Sequence, residues 1–177
     1  ISDCLVGSEM CIRDRSVDSS FDYCLELNSL SKSHNMAGWR VGMVVGSRNN
    51  INTILKVKSN IDSGMYYGIQ KGAIEALCLN SSWYKSLNKI YLERREIVYK
   101  ICDKLGLTYD KNSTGMFVWA KINSLDTSSI EFVDNLLYNK EIFITPGSIF
   151  GTNGEGYVRL SLCLSQDKLN EALNKLL

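Results

Sequence analysis

The segment Trp83–Leu105 sets Trp83, Leu87, Ile90, Ile97, Ile101 and Leu105 at steps of three, four or seven, a spacing that only an α-helix gathers onto one side. A helix of that length in mid-chain divides the sequence into an upstream and a downstream part. Its cluster Glu93-Arg94-Arg95-Glu96 interrupts the stripe and reads as a solvated face with intrahelical ion pairs worth about 0.2–0.5 kcal/mol each.

Upstream, Cys24–Leu30 reads as a short strand and Val41–Gly46, which is mostly apolar, as a second and buried one. A polar connection joins them. Ile51, Ile54, Leu55 and Lys58 then repeat at helical spacing, and Tyr67–Leu79 reads as another helix with Ile69, Ala73, Ala76 and Leu77 on one side. Downstream, Gly115–Ile122 is β-rich, and Ser128-Ser129-Ile130-Glu131 is a capping-box start for a helix. Strands at Ile142–Thr145 and Tyr157–Cys163 come next, then a closing helix bearing Leu169, Ala172, Leu173 and Leu176. This β-α-β-β-α order predicts a compact α+β lobe after the long helix.

With 45% hydrophobic and 22% charged residues the composition is that of a globular protein, and a net charge of +1 offers no global field for nucleic acid or an anionic membrane. No apolar run approaches the roughly 20 residues of a membrane helix. Six cysteines lie scattered without C-x-x-C pairs or histidines at ligand spacing, which argues against a metal site and for reduced thiols in the cytoplasm. The stretch from Ile1 to Arg15 has neither helical nor strand periodicity; it resembles a translated adapter remnant, and residues 1–15 are set aside as a non-native leader.

The connection between the first two strands carries the chemistry. It reads Ser29-Leu30-Ser31-Lys32-Ser33-His34-Asn35-Met36-Ala37-Gly38-Trp39-Arg40-Val41-Gly42. A guanidinium offers a rigid fork of donors to phosphate oxygens, and serine hydroxyls complement it. A lysine amine in such a site is a nucleophile towards an aldehyde. An isolated S-x-S-K string would be a solvated loop, but the longer pattern S-x-S-K-x-x-x-M-x-G-W-R-x-G matches at eight spaced residues. It resembles the cofactor-lysine signature of the class I and II aminotransferases. A second stretch, from Thr145-Pro146-Gly147 through Phe150-Gly151 to Gly154-Glu155-Gly156-Tyr157-Val158-Arg159-Leu160-Ser161, resembles another segment of the same family. In a strand there, Val158, Leu160 and Leu162 point to one face and Arg159 and Ser161 to the other. Gly151–Gly156 reads as a turn, because no Gly-Lys-Ser/Thr succeeds it and the next element is a strand.

The resemblance implies an α/β fold of the pyridoxal-phosphate-dependent, aspartate aminotransferase-like type. Residues 16–82 would be the end of the large mixed-sheet domain, 83–106 a linking helix and 107–177 the small C-terminal α+β domain. It implies pyridoxal 5'-phosphate as cofactor, Lys32 as the Schiff-base lysine, and Ser29 and Arg40 as holders of the cofactor phosphate, with Ser31 a weaker contact. Arg159 would clamp the substrate α-carboxylate. The family's pyridine-nitrogen aspartate, ring-oxygen contacts and ring-stacking aromatic belong upstream of the lysine strand, so the chain is expected to be a fragment lacking the N-terminal part of the active site. Its two motif segments are then expected to expose surface that further strands would cover. The implied activity is transamination between an amino acid, aspartate-like, and a 2-oxo acid, in a cytoplasmic homodimer with neither nucleic-acid nor membrane partners. Two alternatives share the scaffold: another pyridoxal-phosphate reaction such as a C–S or C–C lyase or a decarboxylase, and the effector domain of a transcription regulator. His34 is read as a loop or supporting residue, and Tyr66 and Tyr67 as core residues rather than contacts of a neighbouring subunit's cofactor.

Overall fold

Two β-rich stretches lie on either side of a helix of 24 residues, and each closes on its own core. The computed structural model describes residues 23–124 and 127–176, so the expectation for residues 1–15 falls outside the described residues. The architecture mixes helices and sheets as an α/β protein does. It divides into two compact units, up to Tyr84 and from Lys85.

In the first unit β1 (Leu25–Ser29) pairs antiparallel with β2 (Gly42–Gly46), with Leu27 opposite Val44 and Ser29 opposite Gly42. The intervening chain makes a short helix α1 (Leu30–Ser33) and a 3-10 turn (Ala37–Trp39). The Leu30 N–H donates to the Val41 carbonyl at 3.3 Å, which extends the pairing inwards. Helices α2 (Arg48–Ile61) and α3 (Tyr67–Leu77) come after the ribbon. Leu30, Met36, Val41 and Ala76 form the buried cluster, with Met43, Ile69 and Ala73 against it; the expected inner face of α3 holds for Ile69, Ala73 and Ala76, whereas Leu77 is 50% exposed.

Burial of β2 departs from expectation. Only Val41, just before the strand, is buried, while Val44 is exposed and Leu27 across from it is 73% exposed. A two-stranded ribbon has little surface with which to cover both its faces, and apolar content alone does not reveal how many neighbours a strand has. Ile51, Ile54, Leu55 and Lys58 of α2 line, with Leu27, Met43 and Val44, an open cavity of ≈ 510 Å³ that reaches Ser29. Tyr66 and Tyr67 are 76% and 65% exposed, so core packing is not their role in this chain.

Helix α4 (Ser81–Lys104) contains the boundary between the units. In the second unit β3 (Thr108–Tyr109), β4 (Phe117–Lys121), β5 (Thr145–Pro146) and β6 (Tyr157–Ser161) form a four-stranded sheet in the order β3-β4-β6-β5. Helices α5 (Ser129–Lys140) and α6 (Gln166–Lys175) complete it. Val98, Ile101 and Cys102 of α4 pack with Val118, Val133 and Val158 in a core that also takes Leu160, Leu162 and Leu169. Strand β3 was not anticipated, being too short for any alternation to show; Tyr109 is held by stacking on Tyr99 at 4.6 Å. The expected strand Ile142–Thr145 pairs only from Thr145. Glu141 ends α5 in the left-handed conformation, and the Ile142 N–H donates back to the Leu136 carbonyl of α5.

The charged cluster of α4 is also not the solvated face expected. Arg95 is 6% exposed, and its guanidinium donates to the carbonyls of Ser113 and Gly115. Arg94 donates to the Leu162 carbonyl at 3.2 Å. Only Lys89–Glu93, at 4.0 Å, forms an intrahelical ion pair on this helix among the described residues. Ile90, placed on the stripe by its spacing, is exposed, and Val98 and Cys102 lie in the core instead.

The capping box at Ser128 and Glu131 forms as the sequence indicates. Beside it Ser129, fully buried, donates through N–H and hydroxyl to one Glu155 carboxylate oxygen at 2.7 and 3.0 Å and accepts from the Gly156 N–H at 2.8 Å. The backbone bond from Ser129 is the main reason that Glu155 titrates below an ordinary carboxyl.

Arg95→Met should therefore lower stability by about 2–4 kcal/mol, because two carbonyls lose their charge-assisted donor in a buried site. Chemical denaturation followed by circular dichroism measures it; a change below about 0.5 kcal/mol would refute the anchoring role. Arg95→Lys should recover little, since a single ammonium cannot reproduce the two-pronged fork.

Candidate active site

The closed end of the β1–β2 ribbon gathers four of the sequence-predicted residues. Register puts Ser29 opposite Gly42, so Arg40, two residues earlier, returns to the end that Ser29 leaves. The contact is close: a Cβ on Gly42 would lie 2.8 Å from the Asn28 carbonyl oxygen. Only glycine lets the strands approach there.

Ser29 caps α1, its hydroxyl accepting from the Ser31 N–H at 3.2 Å, while the Ser33 hydroxyl donates to the Ser29 carbonyl at 3.2 Å. Lys32 is exposed, and its amine has no hydrogen bond or ion pair among the described residues. Arg40 sits at φ 53° and ψ 44°, a left-handed conformation that costs a side-chain-bearing residue about 1–2 kcal/mol. One of its guanidinium nitrogens donates to the Ala37 carbonyl at 3.1 Å, leaving the rest of the fork for an external acceptor. From Leu27 to Ser47 the chain contains no acidic residue. Two cations and several hydroxyls with no internal counter-charge suit a multiply charged anion with several oxygens, such as a phosphate ester.

His34 proves to be part of a buried network. It is 7% exposed. Nδ1 lies 2.8 Å from the Ser33 hydroxyl and Nε2 2.9 Å from the Tyr84 hydroxyl. Its ring stacks on Trp83, centroids 5.6 Å apart and planes at 18°. Burial pushes its pKa down, and a hydrogen bond with the Ala76 backbone opposes this. Nothing in the sequence spacing links His34 to residues 83 and 84, so this support was not legible.

Arg159 belongs to the second unit, in β6, and is described there by itself. Val158, Leu160 and Leu162 turn into the core while Arg159 faces away from it, as strand alternation predicted. Its cross-strand neighbours are Trp119 on β4 and Thr145 on β5. Its guanidinium carbon lies 4.3 Å from the Phe117 ring centroid and 4.4 Å from that of Phe150. Each such cation–π contact is worth about 0.5–2 kcal/mol depending on desolvation. These two rings were not singled out from sequence, although Phe150 stands in the second quoted pattern and Phe117 in the β-rich run Gly115–Ile122. The turn predicted at Gly151–Gly156 is present, as a 3-10 turn at Thr152–Gly154.

Among the described residues no helix is long and apolar enough to cross a membrane, and no group of three or more His, Cys, Asp or Glu could hold a metal ion.

The family model described as aminotransferase class I and II matches residues 7–176; the match begins inside the stretch set aside as a leader. An LL-diaminopimelate aminotransferase of Nitratidesulfovibrio vulgaris is 39% identical over 160 residues, covering 90% of this chain and 41% of that protein. One of Maridesulfovibrio salexigens is 41% identical over 155 residues, covering 88% and 40%. The chain thus spans about two fifths of the length of these curated relatives. Among solved structures, an aromatic aminotransferase of Pyrococcus horikoshii superposes with a TM-score of 0.80 at 31% identity, covering 91% of this chain and 44% of that one. The matched family depends on pyridoxal 5'-phosphate.

The His34 network predicts a pH response. With the folded pKa below the 6.5 of a free imidazole, the unfolded chain binds the proton more readily. The contribution to stability is complete above pH 6.5 and is lost as pH falls through the folded value. A histidine NMR titration should show a midpoint below 6.5, and His34→Gln should flatten the acid side of the melting-temperature profile; a midpoint at or above the free value would contradict this.

Proposed function

Because the chain belongs to the class I and II aminotransferases, we propose that it carries the lysine and phosphate-binding part of a transaminase site acting between an amino acid and a 2-oxo acid. The observation that supports this reading is the Ser29–Arg40 turn, which carries hydroxyls, a guanidinium and a lysine amine unpaired among the described residues, with no acidic residue in the surrounding chain.

The residues fit pyridoxal 5'-phosphate by their donor set. Ser29 and Arg40 hold the phosphate, the arginine presenting the donors that Ala37 leaves free, and Ser31 adds a hydroxyl. Lys32 would hold the cofactor through its Nζ, and the same amine is placed to take and return the substrate α-proton as a general acid–base. When bound, the cofactor would supply an electron sink. Arg159 holds the substrate α-carboxylate through a planar, two-point contact, which suits a guanidinium better than an ammonium. The relatives' names make LL-diaminopimelate the first amino donor to try, and we place the full-length protein in the cytoplasm as a homodimer.

In the full-length protein, Lys32→Ala should abolish both the visible absorbance of bound cofactor and turnover; survival of both would reject the assignment. Arg159→Lys should raise the amino-acid KM by about tenfold or more, the scale of one lost charge-assisted hydrogen bond. An unchanged KM would remove its carboxylate role. Keto-acid formation strictly coupled to an amino acceptor separates transamination from elimination or decarboxylation.

A further inference from the structure

We propose that Phe117 and Phe150 are positioning residues that hold the Arg159 guanidinium by cation–π contact, leaving its N–H donors for a carboxylate. This deepens the proposed function and rests on its reading of Arg159.

Two rings meet the guanidinium. Ring centroids at 4.3 and 4.4 Å come from different elements, β4 and the 3-10 turn Gly147–Phe150. Among the described residues the Arg159 guanidinium makes no hydrogen bond and no ion pair. A protein carboxylate or carbonyl would hold the guanidinium too, but by occupying the donors that a substrate needs. A ring face attracts the cation through its quadrupole and uses none of them. Two ring contacts also restrict the side chain, so less freedom is lost when a planar carboxylate docks.

The seat of Phe150 is built into the backbone. Gly147 and Gly154 touch so closely that a Cβ on Gly147 would lie 2.2 Å from the Gly154 oxygen, and one on Gly154 2.0 Å from the Gly147 oxygen. That contact lays the 3-10 turn against the start of β6. Trp119 then braces Phe150 edge-on at 5.8 Å while stacking on Tyr157 at 5.5 Å. The glycines of this segment serve to set an aromatic ring over an arginine.

The test uses the full-length, cofactor-loaded enzyme, with steady-state kinetics for the amino acid and calorimetric binding of glutarate as an unreactive carboxylate. Phe150→Leu and Phe117→Leu keep an apolar side chain and remove the π face. Each should raise KM and the glutarate Kd by about five- to tenfold, the range of a partly desolvated cation–π contact, with kcat changing far less. Phe150→Tyr should restore wild-type binding. Should the leucine variants fold poorly, trifluorophenylalanine at position 150 keeps the ring's outline and weakens its quadrupole, and should loosen glutarate comparably. Wild-type binding in the leucine or fluorinated variants, or a loss that tyrosine does not rescue, overturns the proposal. Arg159→Ala separates the two levels. If it leaves KM and glutarate binding unchanged, the carboxylate reading fails and the clamp with it. If it loosens both while the phenylalanine variants do not, only the clamp fails.

Discussion

Ser29 and Arg40 come to the same end of the ribbon because two strands close on each other with no side chain between the Asn28 carbonyl and Gly42. The pairing register decides everything at that end of the ribbon. A slip of one residue would turn the strand faces over and carry Arg40 away from the serine cap. The short helix α1, its Ser29 cap and the left-handed Arg40 all result from reversing the chain within the span Leu30–Val41. Leu30, Met36 and Val41 anchor the excursion in a small buried cluster, and Lys32 and Arg40 remain outside it.

A comparable close approach of backbones organises the second unit. Gly147 against Gly154 fixes the turn that precedes β6, and Glu155, between the turn and the strand, reaches the buried N–H of Ser129 at the start of α5. One segment thereby ties a helix start, a strand and an aromatic lid together. Arg159 emerges from the outer face of that strand while its neighbours Val158 and Leu160 are in the core. The contrast with Arg95 is instructive. Both arginines are held by rigid surroundings, but Arg95 spends its donors on Ser113 and Gly115, whereas Arg159 spends none on the described protein.

Much of this was readable in the chain. The long helix, the capping box at Ser128, the inner face of α3 and the alternation of β6 depend on spacing between residues a few positions apart, and spacing is what a sequence displays. The readings that failed concern neighbours distant in the chain. Arg95 is buried because carbonyls of residues 113 and 115 meet it, and Leu27 is exposed because its strand has a single partner. Tyr66 and Tyr67 are exposed, which no local pattern reports.

A donor set that suits a phosphate ester is visible in the sequence itself: one lysine, one arginine and three serines between Ser29 and Gly42 without an acidic residue, charges that hold wherever that stretch lies. Which donors remain available was decided by the tertiary structure. Ala37 takes one Arg40 nitrogen, Tyr84 and Trp83 enclose His34, and two phenylalanine rings flank Arg159 without consuming its hydrogens. Charge and hydrogen-bonding capacity are properties of a residue type, but how much of either is left for a ligand depends on contacts that only folding makes.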